Sequence, residues 1–266
     1  MKNTGEHYNS DTYLSYFKDK LSSANYCNCS EKIQKSFKYD QFHIGGAIAT
    51  QKLLSLMGGG RGGRVLDVGS GFGGVARYLA HNGGFEVLGL DLSASYVAVA
   101  KNIDEWLGFA RQVGCECCDI CDPKLAVRGF DWVVWSHLGM NVQNKDIALI
   151  NCFNALNEHG KIIIYDVLLS GGARLDGLSY PLPWASVPHE SHLGDLKSYK
   201  FSLLGSGFNV VHTEKYDDIL PKIIENEVPL DVPPFAGADF RECLVNLRQL
   251  LAQGVVAPWF IIAEKM

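Results

Sequence analysis

What the chain lacks narrows its identity first. No uninterrupted apolar run approaches the length of a bilayer-spanning helix. The opening residues, Met1-Lys-Asn-Thr-Gly-Glu-His-Tyr8, hold no apolar stretch of the kind that directs secretion. Positive charge is scarce: 24 Lys and Arg stand against 29 Asp and Glu, a net charge of -5. No field therefore draws the chain to nucleic acid or to an anionic membrane surface. Internal repeats and low-complexity segments are absent, which excludes solenoids and disordered arrays. A disulfide framework is not expected either, because the 8 cysteines come without a secretory signal and point to reduced thiols in the cytoplasm. Four of them crowd into Cys115-Glu-Cys-Cys-Asp-Ile-Cys121. Strand alternation sends Cys115 and Cys117 one way and Cys118 the other. Structural zinc sites join distant segments, so no metal is expected here.

What is present is an ordinary globular mix, 47% hydrophobic and 20% charged over 266 residues, enough for one large domain with a cap. Residues 8 to 25 read as an amphipathic helix with Tyr13, Leu14, Tyr16, Phe17 and Leu21 on its apolar face. A polar stretch near 28 to 35 follows, then Tyr39-Asp-Gln-Phe-His-Ile-Gly-Gly46 and a helix over 47–57 that the following glycines terminate. From Arg64 onward apolar runs alternate with helical patterns. Strands are expected at 64–68, 85–90, 113–118, 130–135 and 161–165, with helices over 75–81, 96–107 and 145–156 between them. Such alternation predicts a mostly parallel sheet covered by helices on both faces. A helix at 193–204 and strands at 208–216 and 255–264 complete the pattern. The expected organisation is a helical cap over 1–60 and a ligand-binding α/β domain over 61–266. Lid segments are expected at about 171–200 and 218–252, since a structureless stretch as long as 171–194 is usually functional.

The chemistry concentrates in Arg64-Val-Leu-Asp-Val-Gly-Ser-Gly-Phe-Gly-Gly74. An apolar run ends in Asp67, glycines crowd the turn, and a helix follows. Glycines there let a ligand lie against bare backbone, at the sheet edge where open α/β folds bind ligands. Gly69-x-Gly71-x-x-Gly74, with Asp91 about 20 residues on, also fits the dinucleotide fingerprint. Two features favour S-adenosylmethionine instead. Asp67 precedes the turn where dinucleotide folds usually carry an apolar residue, and a third acid, Asp119, ends the third strand. Any one of these acids could cap a helix. Together they suit one elongated ligand, its amino-acid end near Asp67 and the glycines, its ribose on Asp91 and its adenine amine on Asp119.

Val65-Leu-Asp-Val-Gly-Ser-Gly-Phe-Gly-Gly74, Gly89-Leu-Asp-Leu92 and Cys118-Asp-Ile120 resemble successive motifs of class I S-adenosylmethionine-dependent methyltransferases. The segments Tyr39 to Gly46, Gly73 to Ala80, Met140-Asn141 and Tyr180-Pro-Leu-Pro-Trp-Ala185 resemble a small-molecule subgroup within it. That subgroup holds sarcosine/dimethylglycine N-methyltransferase-like and ubiquinone-biosynthesis-like enzymes, with phosphoethanolamine N-methyltransferases as more distant relatives. The resemblance covers about residues 40 to 170. It implies a Rossmann-like seven-stranded methyltransferase sheet whose last hairpin is antiparallel, with an inserted lid. It also implies methyl transfer from S-adenosyl-L-methionine, leaving S-adenosyl-L-homocysteine, to a small-molecule acceptor, with an amine nitrogen favoured. Oxygen or carbon acceptors on an isoprenoid or quinone are the alternative, and a nicotinamide-dependent oxidoreductase is the reading from another class.

Expected cofactor residues are Asp67, Gly69, Ser70, Gly71, Asp91, Leu92, Asp119, Ile120 and Ser136, with Gln41 and His43 closing over them. His137 could accept a proton near neutral pH or merely hold strand-end backbone. Tyr8 resembles an N-terminal tyrosine that relatives fold over the site, and Asn141 is a hydrogen-bonding candidate. Substrate candidates are Trp184, whose ring could pack on a cationic amine, with His189, Glu190, His192 and Asp166. Each also has a structural reading, as lid packing or as a helix cap.

Overall fold

The computed structural model describes residues 10–22, 29–60, 62–224, 236–237 and 239–266. Helices α1 (Ser10–Ser22), α2 (Cys29–Ser36) and α3 (Gly46–Leu56) precede the first strand. The polar stretch near 28 to 35, given no element from its sequence, is thus a short helix. There follow β1 (Arg64–Val68), α4 (Gly74–Gly83), β2 (Glu86–Asp91), α5 (Ala94–Leu107), β3 (Val113–Cys117), β4 (Phe130–Ser136), α6 (Lys145–Ala155) and β5 (Leu156–Leu169). The second half holds α7 (Leu196–Gly205), β6 (Phe208–Lys215), α8 (Leu220–Ile224), α9 (Phe240–Ala252) and β7 (Val256–Lys265).

The seven strands form one sheet in the order β3-β2-β1-β4-β5-β7-β6. Strands β1 to β5 pair in parallel, and β7 runs antiparallel to both β5 and β6. The strand order reverses beside β1, and a doubly wound sheet opens a crevice at such a point, outside the carboxyl ends of its strands. Alternation along each strand feeds two cores. Val65, Val134, Ile163 and Phe260 pack with α1, α3, α4, α5 and α9, whereas Leu66, Val133, Ile162 and Ile261 pack with α6 and α7. β1 is buried on both faces after its first residue, as a central parallel strand should be.

Local signals set the ends. The Ser93 hydroxyl accepts from the Tyr96 N–H at 3.3 Å and caps α5. Asp195 and Ser198 exchange hydrogen bonds in a capping box that starts α7. α7 therefore begins at Leu196 and packs Tyr199 and Leu203 against the sheet. Residues 196–200 belong to that flanking helix and not to a lid.

One buried cation ties the frame of the crevice. Arg77 of α4 is fully buried. Its Nη1 donates to Asp104 of α5 at 2.8 Å, its Nη2 and Nε donate to Asp40 at 3.3 Å, and Nη2 also donates to the Phe72 carbonyl at 2.6 Å. Three segments far apart in sequence thus meet on one guanidinium. Removing one partner of such a pair leaves a buried charge uncompensated. Arg77→Met is expected to lower unfolding free energy by about 3–5 kcal/mol in urea titration. Adding Asp40→Asn and Asp104→Asn should recover most of that loss; a single variant costing under about 1 kcal/mol would refute the role.

Candidate active site

The carboxyl ends of β1 and β4 and the turn after β1 frame a cleft, and the 40–43 segment and the Pro183-Trp184 pair border it. Ten of the residues expected from sequence line it: Asp67, Gly69, Ser70 and Gly71 on its floor; Gln41 and His43 on one wall; Ser136, His137 and Asn141 after β4; and Trp184. Residues the sequence reading passed over also line it: Asp40 and Phe42, Phe72 and Val75, Met140 and Pro183. Most are immediate neighbours of expected residues, so the segment was legible while the individual side chain was not.

The turn after β1 is shaped by close approach. Gly69 N–H and Ser70 N–H both donate to the Leu90 carbonyl, at 2.8 and 3.0 Å, which folds the turn onto the end of β2. Gly71 has φ +54, and a Cβ there would meet nothing within 4 Å, so its backbone faces open space. At Gly74 a Cβ would lie 1.9 Å from the Asp40 carbonyl oxygen. Only glycine lets the 39–46 segment seat against the start of α4.

Two acids converge here. Asp67 is 1% exposed, and the Ala76 N–H of α4 bonds its carboxyl group. Its Oδ2 has no partner. Burial and the neighbouring Asp91 charge push the Asp67 carboxyl up to about 7. Asp91 accepts from Gly71 N–H at 2.7 Å and from Ser93 N–H at 2.9 Å, so it braces the glycine turn from behind. The hydroxyls of Ser70 and Ser136 are likewise buried without partners. A buried carboxylate oxygen and two buried hydroxyls left unpaired are costly unless a ligand pairs them.

The wall histidines are held in defined states. A backbone N–H can only donate, so His137 Nε2 accepts from Ile44 N–H at 3.4 Å and its proton sits on Nδ1. His43 Nε2 lies 3.0 Å from the Gly46 carbonyl, which can only accept, so that nitrogen carries the proton. Burial lowers His43 to about 4 and places His137 well below the usual imidazole range, His43 adding to the latter shift. Both rings are neutral at pH 7. His137 has φ 50, unusual for a residue with a side chain, and its N–H donates to the Tyr165 carbonyl at 2.8 Å. As the ring stands, its acceptor nitrogen is committed to Ile44, so a general-base role requires that contact to open. Tyr165 OH donates to the Ile44 carbonyl at 2.8 Å, so both polar backbone groups of Ile44 are pinned at the sheet edge.

Several expected residues lie elsewhere. Asp166 does not reach the cleft. It is 1% exposed, and its Oδ2 accepts from Trp135 Nε1, Gly139 N–H and Tyr199 OH at 2.8, 3.0 and 2.7 Å. Its substrate role is corrected to a brace for the loop after β4, because strand alternation turns it to the opposite face from Tyr165. His189 is exposed, and Glu190 accepts from the Ser186 N–H at 2.9 Å within its own loop. The His192 backbone, not its ring, makes the structural contacts, to Met140 O and from Lys145 Nζ. None of these three lines the cleft. Asp119 is exposed beyond β3, accepting from Cys121 N–H at 2.8 Å. Leu92 is 61% exposed and Ile120 packs into the core under α6. Of the three strand-end acids, then, Asp67 lines the cleft, Asp91 holds the glycine turn from behind and Asp119 stands exposed beyond β3. Tyr8 lies outside the described residues. Trp184 is buried, its Nε1 donating to Ser191 Oγ at 3.0 Å, which fixes its ring as a wall. Among the described residues no His/Cys/Asp/Glu group suits a metal ion, and no helix is long and apolar enough to cross a membrane.

Comparison with known proteins bears on this geometry. Residues 65–160 match the family model described as methyltransferase domain. A wheat (Triticum aestivum) phosphoethanolamine N-methyltransferase 1 is 29% identical over 198 residues, which is 74% of this chain and 38% of that protein. The chain thus spans well under half the length of that relative. Among solved structures, the Haemonchus contortus phosphoethanolamine N-methyltransferase 2, in complex with phosphomonomethylethanolamine and S-adenosylhomocysteine, superposes with a TM-score of 0.73 at 23% identity. The match covers 94% of this chain and 60% of that one. The geranyl diphosphate C-methyltransferase of Streptomyces coelicolor gives a TM-score of 0.66 at 14% identity, covering 94% and 87%. The chain thus shares its fold with these methyltransferases, and the part that matches the methyltransferase-domain model, residues 65–160, carries the glycine turn and the strand ends that frame the cleft.

The raised Asp67 carboxyl has a thermodynamic consequence. Between the ordinary value of 3.8 and about 7 the folded chain keeps a proton that the unfolded chain gives up. The stability this proton brings is complete below 3.8 and is lost as pH rises through about 7. Over that window the ligand-free protein should lose at most about 4 kcal/mol from this group. Asp67→Asn should flatten the slope of melting temperature against pH; an unchanged slope would remove Asp67 as its source.

Proposed function

We propose that this protein transfers a methyl group from S-adenosyl-L-methionine to a nitrogen of a small-molecule amine. One observation carries the reading: the unpaired Asp67 Oδ2 and Ser70 and Ser136 hydroxyls surround a floor of bare Gly71 backbone, at the strand ends where the sheet opens. These groups fit the cofactor by their chemistry. Asp67 would pair its cationic amino end, Asp91 its ribose hydroxyls and Asp119 its adenine amine. Leu92 and Ile120, which flank the last two acids, are proposed for the adenine region. Relatives named as phosphoethanolamine N-methyltransferases support the amine.

When bound, the cofactor supplies a sulfonium that already activates its methyl group. The protein's own residues then bind, orient and keep water away. Trp184 and Phe42 wall the cleft, while His137 and Tyr165 fix the 39–46 segment over it through Ile44. Alignment of this kind can supply roughly 7–11 kcal/mol of the barrier. The amine must arrive as its free base. Its lone pair forms the new N–C bond as the C–S bond breaks, the electron pair of that bond returns to sulfur, and the methylated ammonium releases one proton. The carboxyl groups that line the cleft would favour the positive charge that such a reaction carries.

Asp91→Ala is expected to weaken S-adenosylmethionine binding by about 1–3 kcal/mol, the cost of unpairing a buried polar partner. Isothermal titration with S-adenosylhomocysteine measures this directly. Affinity equal to that of the unaltered protein would reject the assignment, and tight NAD binding without S-adenosylmethionine binding would reject the whole reading.

A further inference from the structure

The charge of the cleft selects among amines. A phosphate monoester carries about -1.5 to -2 charge at neutral pH, and proteins meet such a group with Arg, Lys or an open helix N-terminus. The described side chains that line this cleft include the carboxyl groups of Asp40 and Asp67, the amides of Gln41 and Asn141, and two neutral imidazoles, but no lysine or arginine. Its aromatic wall of Phe42, Phe72 and Trp184 adds no charge.

Four of the described cations are committed elsewhere. Arg77 is shared between Asp40 and Asp104. Lys145 donates to the Val142 and His192 carbonyls at 2.9 and 2.5 Å. Lys52 pairs with Glu214 at 3.0 Å, and Arg174 pairs with Asp176 at 3.2 Å on the exposed lid. The N-terminus of α4, which faces the cleft, is already met by the Asp67 carboxyl through Ala76 N–H. One acceptor of hydrogen bonds is in addition left over: Asp40, 3% exposed, holds Arg77 with Oδ2 while its Oδ1 has no partner.

We propose that the methyl acceptor is an unphosphorylated amine, and that this carboxylate- and aromatic-lined cleft excludes the phosphate monoesters named for its relatives and the diphosphate bound by its C-methyltransferase neighbour. The inference rests on the amine-methyltransferase reading above and sharpens it. A phosphate group would find no cation on this lining to pair with, whereas the unpaired Asp40 Oδ1 suits a positively charged or hydrogen-bond-donating amine.

The test uses matched pairs in which only the phosphate differs. Ethanolamine with phosphoethanolamine, and monomethylethanolamine with phosphomonomethylethanolamine, are assayed with methyl-labelled S-adenosylmethionine beside a panel of other primary and secondary amines. Each phosphorylated compound is also titrated calorimetrically into protein saturated with S-adenosylhomocysteine. Methylation of an unphosphorylated amine is expected, with every phosphorylated compound at least about tenfold lower in kcat/KM, equivalent to about 1.4 kcal/mol, and without saturable heat in the millimolar range. Phosphoethanolamine or its methyl derivative turned over within that factor, or bound saturably, would overturn the proposal. So would an amine panel that is nowhere methylated while S-adenosylhomocysteine still binds. Failure to bind S-adenosylhomocysteine or S-adenosylmethionine would instead strike the methyltransferase reading itself, so the two failures are told apart by the titration.

Discussion

The guanidinium of Arg77 is the contact on which the geometry of the cleft depends. It joins the 39–46 segment through Asp40, the glycine turn through the Phe72 carbonyl and α5 through Asp104. Only a planar fork of donors reaches three acceptors in fixed directions. A lysine, with one rotatable ammonium, would hold charge but not angle. The arrangement is not cheap: burial pushes Asp40 up to about 6 despite the cation beside it. Buried ion pairs often add little net stability over apolar packing. Here the return is positional, because the glycine turn and the segment above it are fixed to the same atom group.

A second constraint comes from the pleat of β5. Tyr165 and Asp166 are adjacent, so their side chains leave opposite faces of the sheet. Tyr165 holds the Ile44 carbonyl on one side, while Asp166 gathers Trp135, Gly139 and Tyr199 on the other. One strand end therefore positions both the segment that covers the cleft and the loop after β4 that carries His137 and Asn141. The strain at His137, φ 50, is supported by its backbone bond to Tyr165 and its ring bond to Ile44. Strained backbone persists where surrounding contacts over-determine it.

The legible part of this molecule follows from periodicity and from glycine. Apolar runs broken by glycine placed the five parallel strands to within a few residues, apart from β5, which extends well beyond its central run on both sides. Ladder hydrogen bonds to β7 extend it through Leu169, and no single-sequence pattern reports a partner about a hundred positions away. The glycine turn, Asp67 and Asp91 were legible because strand-end acids beside bare backbone have a local signature. Asp166 was misread for a reason of the same kind: its strand-end position matched Asp67 and Asp91, but the face it occupies is decided by alternation and by Tyr199, which arrives from α7. Arg77 carried no local signal at all, since the middle of an amphipathic helix is an ordinary place for an arginine until Asp40 and Asp104 fold against it. His189, Glu190 and His192 are neighbours in sequence, and the irregular backbone there gives no period from which to tell an inward side chain from an outward one.

The unpaired atoms explain why such a site is tolerated in an otherwise well-satisfied interior. Asp67 Oδ2 could be silenced by a nearby lysine or replaced by an apolar side chain, and either change would relieve its burial cost. A lysine would fill the position that a cationic ligand must take, and an apolar residue would leave that ligand's charge without a partner. The carboxyl instead stays unpaired, with its proton affinity raised to about 7. A cation entering beside it replaces that proton at small cost near neutral pH, because little free energy separates the two forms there. The neutral imidazoles of His43 and His137 serve the same end. Were they protonated, two positive charges would oppose the sulfonium and the developing ammonium of the proposed reaction. Burial that keeps them uncharged therefore preserves the negative character that the acids supply.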